Sequence, residues 1–339
     1  MTAVLDLTHT PEPDSADVPR EIDPGYSRGD HVFSISVRTI GYFVLVLTGS
    51  IGLFLGYQAI PTLRHYGLRF FTESDWQPEL DKVGILSVLA GTFEVALIAM
   101  VISFPLGLLC ALYISEYAPA RLKSLMVSLV DLMAAVPSIV YGLWGFFLLQ
   151  PHAIYLARWL NQYLGWLPFF HVDTDPNAAL WEQTRYTASA FIAGICVSMM
   201  VLPLATAIMR GVFAQAPLGE REAAYALGST RWGMIRAVVL PFGRGGIIGG
   251  TMLALGRALG ETVAVLLIIS PAFDLKFRPL EVGTETTSAL IANRFGEASA
   301  DQLSALLAAG FVLFLITLAT NTVAAAFITR SRSGAGTDA

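Results

Sequence analysis

The sequence predicts an all-α polytopic membrane protein with six transmembrane helices. Three observations predict it. Only 14% of the 339 residues are charged and 55% are apolar, whereas a soluble domain carries about a quarter charged residues. Six apolar runs each approach the roughly 20 residues that a helix needs to cross a bilayer. Lys and Arg concentrate in alternate connecting segments, the asymmetry that fixes orientation.

Residues 1–37 are polar and rich in Pro and Asp ("TPEPDSADVPREIDPGYSRGD"). They read as a disordered cytoplasmic tail, too poor in apolar surface to fold. The first apolar run begins near Ile40, far from the start for a secretory signal, so a retained span is expected. That run is Ile40–Ile60, within a first transmembrane unit at 38–61 closed by Pro61. The second run lies within Gly84–Ser115, with Glu94 its only charge, and the third is about Leu125–Leu149, with Asp131 inside. The fourth is Tyr186–Met209, containing Pro203; the fifth is Gly246–Ser270; the sixth is about Leu303–Ile328. Their apolar residues run all round, so helices in lipid are expected. Residues 84–329 then form a five-helix core, and 330–339 a short cytoplasmic tail.

With a cytoplasmic N-terminus, the inner segments hold twelve Lys and Arg and the outer segments eight. The segment between the fourth and fifth runs is basic apart from Glu220 and Glu222. Both termini are therefore expected in the cytoplasm. Of the two long outer loops, the first contains "IYLARWLNQYLGWLPFF", which reads as interfacial. The second contains "TETTSALIANRFGEA", where a short helix is expected above the exit of the fifth span.

The net charge of −5 gives no reason to expect nucleic-acid binding. Cys110 and Cys196 lie in apolar runs and read as buried small hydrophobes. His9, His31, His65, His152 and His171 lie outside the runs without metal-ligand spacing. No metal site is expected. No Gly-Lys-Ser/Thr phosphate loop is present, so any ATP hydrolysis belongs to another subunit.

The inner segment 211–244 carries "EREAAYALGSTRWGMIRAVVLPFGR". "EREAAYAL" suits two helical turns with a small Ala face. Gly228 can take the left-handed backbone that ends a helix, and Ser229 or Thr230 can cap the next one. Pro241 is expected to open the fifth span, where its missing N–H costs nothing. A short rigid helix of this kind suits docking on another protein; an ordinary connecting loop is the plain alternative.

Glu222, Ala223, Ala224, Gly228, Leu240 and Pro241 resemble the "EAA" loop of ABC importer permeases, with Val238 where that family usually has Ile. "LMAAVPSIVYGLWG", "GGTMLALGRALGETVAV" and "TTSALIANRFGEA" are similar to the permeases of phosphate-specific importers. The "YGLWG" form and "GLRFFTESDWQPE" place it nearer the PstC-like than the PstA-like permeases. The resemblance covers about Gly67 to Arg330. It implies a type I ABC importer permease (MetI-like) fold in a bacterial cell membrane. It also implies a homologous second permease (PstA-like), two ATPase subunits (PstB-like) docked on the 222–241 loop, and an extracytoplasmic phosphate-binding protein (PstS-like). ATP and magnesium would be held by the ATPase partner, with no cofactor in this chain.

Within "LALGRALGETVAVLLIIS", Arg257 and Glu261 stand four apart in an apolar run. A charge at the centre of a spanning helix costs about 2.5–3.5 kcal/mol or more, so both should face a bundle interior or a watery path. In a continuous helix they would share a face. One reading is a self-neutralised structural pair. The other is an anion gate, in which the guanidinium fork exchanges the carboxylate for phosphate oxygens; the resemblance implies the same role. Glu94 and Asp131 are the other acids within the runs and are candidates for the path only if paired, with headgroup-level positions as the alternative. Gly246 and Gly250, and Gly256 and Gly260, form small-xxx-small steps for close packing, against a partner permease or within the chain. A sulfate or molybdate importer, a secondary transporter or channel, and a membrane-embedded enzyme remain the competing functions; no metal or nucleophile constellation lies in the spans to favour the last.

Overall fold

The computed structural model describes residues 27–172 and 182–331. Residues 1–26 and 332–339, to which the sequence assigns most of the two tails, lie outside the described residues, as does 173–181 of the first outer loop. By compactness the chain divides into two units, residues 1–51 and 52–339.

In the first unit, residues 28–51 belong to the helix Arg28–Tyr66. The helix already runs through 28–37, which the sequence assigned to the tail. Its polar residues bond back to their own backbone: Ser36 Oγ donates to Val32 O (2.8 Å) and Thr39 Oγ1 to Ile35 O (2.8 Å), so polarity there does not end the helix. Val32, Phe33, Tyr42, Phe43 and Leu45 are exposed around it, the surface that lipid would cover.

The second unit is built on two long helices, Leu86–Tyr117 and Ala190–Phe213. They meet along Val95, Ala96, Ala99, Ala193, Val197 and Val201, all buried. Gly194 makes the approach close, since a Cβ there would fall 2.7 Å from Ile98 Cβ. Ser189 caps the second helix, accepting from Ile192 N at 3.5 Å, and Pro203 lies inside without interrupting it. The helix Arg231–Leu259 packs on Ala190–Phe213, and Ala300–Phe327 completes the set. A second core at one end gathers Phe70, Trp76, Val83, Ile85, Leu290 and Leu306. There Trp76–Gln77 and Lys82–Val83 form an antiparallel hairpin.

Six helices are long and apolar enough to span, as the sequence predicts, but two passages differ. The third is not one helix over Leu125–Leu149. A helix Ala120–Ala135 ends before Pro137, and the spanning helix is Ser138–Leu164. Val136 precedes proline and is extended (ψ 129°), because the proline ring crowds a helical neighbour. The aromatic stretch expected at the interface therefore continues this helix to Leu164. The fifth passage begins earlier than Gly246, at Arg231, and stops at Leu259. Pro241 does not open it. It lies inside, directly after a π-helical turn at Ile235–Val239, where the widened backbone accommodates a residue with no N–H to donate. The chain resumes as a short helix, Val263–Ile268. The expected outer helix is present as Thr287–Arg294, capped by Thr286.

Candidate functional site

The breaks in the third and fifth passages lie side by side. Gly142 and Gly145 bring them together: a Cβ on Gly142 would sit 2.9 Å from Ala264 Cα, and one on Gly145 would sit 2.6 Å from Ile268 Cδ1. Where the two helices are interrupted, a cavity of about 410 Å³ opens, lined by Ser138, Gly256, Arg257, Gly260, Glu261, Thr262 and Val263. Non-helical backbone at membrane depth is tolerated where it lines such a cavity. One carbonyl at each break accepts from a side chain. Tyr141 Oη donates to Met133 O (2.8 Å), and Ser288 Oγ donates to Glu261 O (2.7 Å).

Arg257 and Glu261 do not form the one-turn pair that a continuous helix would give. The helix ends at Leu259, and Gly260 turns the backbone aside. Glu261 is buried, 8% exposed, and its Oε1 accepts from Ala264 N at 3.1 Å, stabilising the start of Val263–Ile268. Its Oε2 has no hydrogen bond among the described residues. Arg257 is exposed on the cavity wall in the last turn of its helix, where the helix dipole favours a cation. Among the described residues it makes no ion pair or hydrogen bond. The self-neutralised pair is therefore absent from this structure, and so is the resting contact of the gate reading.

Of the other candidate path acids, neither lines this cavity. Asp131 sits on Ala120–Ala135, half-exposed, with Arg210 Nη2 of the fourth span 3.6 Å away. Glu94 lies in the second span with Oε1 buried and without a hydrogen-bond partner. Three of the four packing glycines pack within the chain. Gly246 faces Val212, Gly250 faces Ala205 O and Met209, and Gly256 faces Asn321 Oδ1. Gly260 instead lines the cavity.

The loop 211–244 forms a second surface. Leu218–Ala226 is a helix. Gly228 follows at φ +80°, its N–H donating to Tyr225 O (2.9 Å) while Ser229 N donates to Ala224 O (3.1 Å), a glycine-terminated helix end. Thr230 caps the next helix, accepting from Gly233 N at 3.1 Å. Glu222, Ala223, Gly228 and Pro241 are exposed, Leu240 is half-buried and Ala224 is buried. Leu218 and Leu227 also stand exposed, a mixed apolar and acidic face.

Sequence reasoning missed three participants. Ser138 gave only an indirect signal, its place just after a helix-breaking proline. Ser288 gave none, since its contact spans 27 positions. Glu116 fell just beyond the predicted second span, yet it is buried and paired with Arg221 Nη1 at 2.9 Å.

Residues 103–333 match the family described as "Binding-protein-dependent transport system inner membrane component". A Xylella fastidiosa protein named phosphate transport system permease protein PstC is 37% identical over 96% of this chain and 98% of its own. A Mycobacterium bovis protein named phosphate transport system permease protein PstC 2 is 39% identical over 88% of this chain and 91% of its own. Among solved structures, a bacterial ABC transporter involved in import of the polysaccharide alginate matches with a TM-score of 0.50, at 18% identity, over 88% of this chain and 99% of that one. That likeness concerns the fold.

Proposed function

The chain belongs to the inner membrane components of binding-protein-dependent transport systems, and from that premise we propose that it is the phosphate-translocating permease of an ATP-driven importer. It is a multi-pass inner-membrane transport component. The relatives named as phosphate transport permeases, similar along nearly their whole length, support phosphate as the substrate. The observation that carries the site is the cavity where two interrupted helices meet beside Arg257.

In this reading Arg257 presents its guanidinium fork to phosphate oxygens as the anion loses hydration. Glu261 faces the same cavity with a free carboxylate oxygen. Phosphate near neutral pH carries a hydroxyl that can donate to that oxygen, so anion and carboxylate need not repel. Asp131 is held by Arg210 at a helix contact. Glu94 has no cation beside it here, and it has no assigned part in binding. A homologous permease completes the path from the other side. An extracytoplasmic binding protein delivers phosphate. Two ATPase subunits, holding ATP and magnesium, dock on Glu222, Ala223 and the apolar residues around them. Both termini face the cytoplasm.

The test is radiolabelled phosphate uptake in cells lacking this chain, complemented at matched membrane levels. Wild type restores uptake that excess sulfate does not compete. Arg257→Gln and Arg257→Gln/Glu261→Gln both fail to restore it. Recovery in the double variant means a structural pair, with the anion site elsewhere. Failure of wild type to restore uptake rejects phosphate as the substrate.

A further inference from the structure

We propose that the π-helical turn Tyr113–Tyr117, at the inner end of the second span, clamps the docking helix Leu218–Ala226 to the membrane helices, with Glu116 as its positioning residue. The proposal rests on the reading of this chain as a permease driven by a separate ATPase.

The docking helix has two faces. Glu222 and Ala223 point outward, exposed, while their neighbours Arg221 and Ala224 turn toward the protein. Arg221 Nη1 donates to Glu116 Oε2 at 2.9 Å, and Arg221 Nη2 donates to Phe213 O at 2.6 Å. Phe213 is the last residue of the fourth span. A single side chain on the docking helix therefore holds the inner ends of two spans. The remaining Glu116 oxygen accepts from Ser115 Oγ at 2.8 Å. The Glu116 side chain is 3% exposed, so the pair is shielded from water and salt, where breaking one partner leaves an uncompensated charge.

The next residue makes a second link. The guanidinium of Arg231, beyond the Gly228 turn, lies 5.1 Å from the Tyr117 ring centroid, a cation–π distance. Consecutive residues of one turn thus hold both arms of the docking loop. Consecutive positions on a regular α-helix diverge by about 100°; the π turn is the local departure from that register.

The second span reaches the site through the helix Thr287–Arg294. At its other end, Thr92 Oγ1 accepts from Thr287 N at 3.0 Å, and Ser288 of the same outer helix holds Glu261 O. Displacement of the docking helix is passed through Glu116 to the second span and from there to the break beside Arg257. Tight packing favours transmission as a rigid body over local absorption.

The experiment uses the complete importer in lipid nanodiscs, spin-labelled at Leu109 and Glu220, which are both exposed, on the second span and the docking helix. The expected result is one distance distribution, unchanged between nucleotide-free and ATP-vanadate-trapped states. Glu116→Gln should make it nucleotide-dependent, and should lower phosphate moved per ATP hydrolysed about tenfold while basal hydrolysis persists. A wild-type distance that shifts with nucleotide overturns the clamp, and so does wild-type stoichiometry in Glu116→Gln. The wild-type distance decides by itself if Glu116→Gln does not assemble. A chain that retains no ATPase subunits rejects the permease reading instead, which separates the two failures.

Discussion

Arg257 stands in the last turn of its helix on a cavity wall without a partner among the described residues, while Glu261, four positions on, is bound to the start of the next helix. The two residues thus have different work, and their variants should differ. Arg257→Lys keeps the charge but loses the planar fork, so phosphate uptake should fall by about tenfold or more, measured as labelled uptake at matched expression. Glu261→Gln removes an acceptor that suits a protonated oxyanion and repels sulfate. It should make uptake sensitive to competing sulfate. Insensitivity equal to wild type would remove Glu261 from selectivity. Glu285 gives a pH prediction outside the spans. Burial pushes its carboxyl from 4.5 up to about 7, against the lowering effects of Thr286 N–H and Arg294. The folded state therefore binds the proton more tightly than the unfolded chain. Its contribution to stability is full below about pH 4.5 and is lost as pH rises through about 7. Thermal unfolding in detergent should show this slope, and Glu285→Gln should flatten it.

At the level of elements, the site exists because two helices stop. Pro137 forces the first stop through Val136, and the second, after Leu259, is held by Ser288 on Glu261 O. Gly142 and Gly145 then let the resumed helices touch. Gly142→Leu should overpack that contact by about 1–3 kcal/mol and lower the folded level in membranes, read by fluorescence-detected size exclusion. The docking helix depends on a different glycine. Gly228 has open space around it and a positive φ, so Gly228→Ala tests backbone strain alone. A left-handed non-glycine residue costs about 1–2 kcal/mol. The variant should weaken copurification of the ATPase subunits while leaving the membrane helices folded.

At the scale of the whole molecule, orientation follows from the distribution of Lys and Arg rather than from any one contact. Cysteines placed at Gly219 and Gly296, both in open space, should report opposite sides. An impermeant maleimide added to intact cells should label Gly296→Cys, and should reach Gly219→Cys only after permeabilisation. The native Cys110 and Cys196 are half-buried and buried and serve as the background. Labelling of Gly219→Cys from outside would invert the topology.

Six helices were legible in the sequence because crossing a bilayer demands a long apolar run, and composition alone reports such runs. The helix end at Gly228 and the cap at Thr230 were legible for a similar reason, since single residue types carry their own backbone preferences. Arg257 and Glu261 stood out because charge in an apolar run is costly. Their relation did not follow from spacing. Four positions apart means one face only while the helix continues, and whether it continues past Leu259 is settled by what packs against the break. Ser288, held to Glu261 across the chain, and Glu116, held to Arg221 from another span, likewise depend on contacts between distant segments. The sequence by itself determined that six apolar helices are long enough to span, and about where four of them lie. Only the tertiary structure decided that the fifth passage stops at Leu259 and that its break meets the one at Pro137, because a broken helix is stable only where neighbouring side chains satisfy the backbone groups it frees.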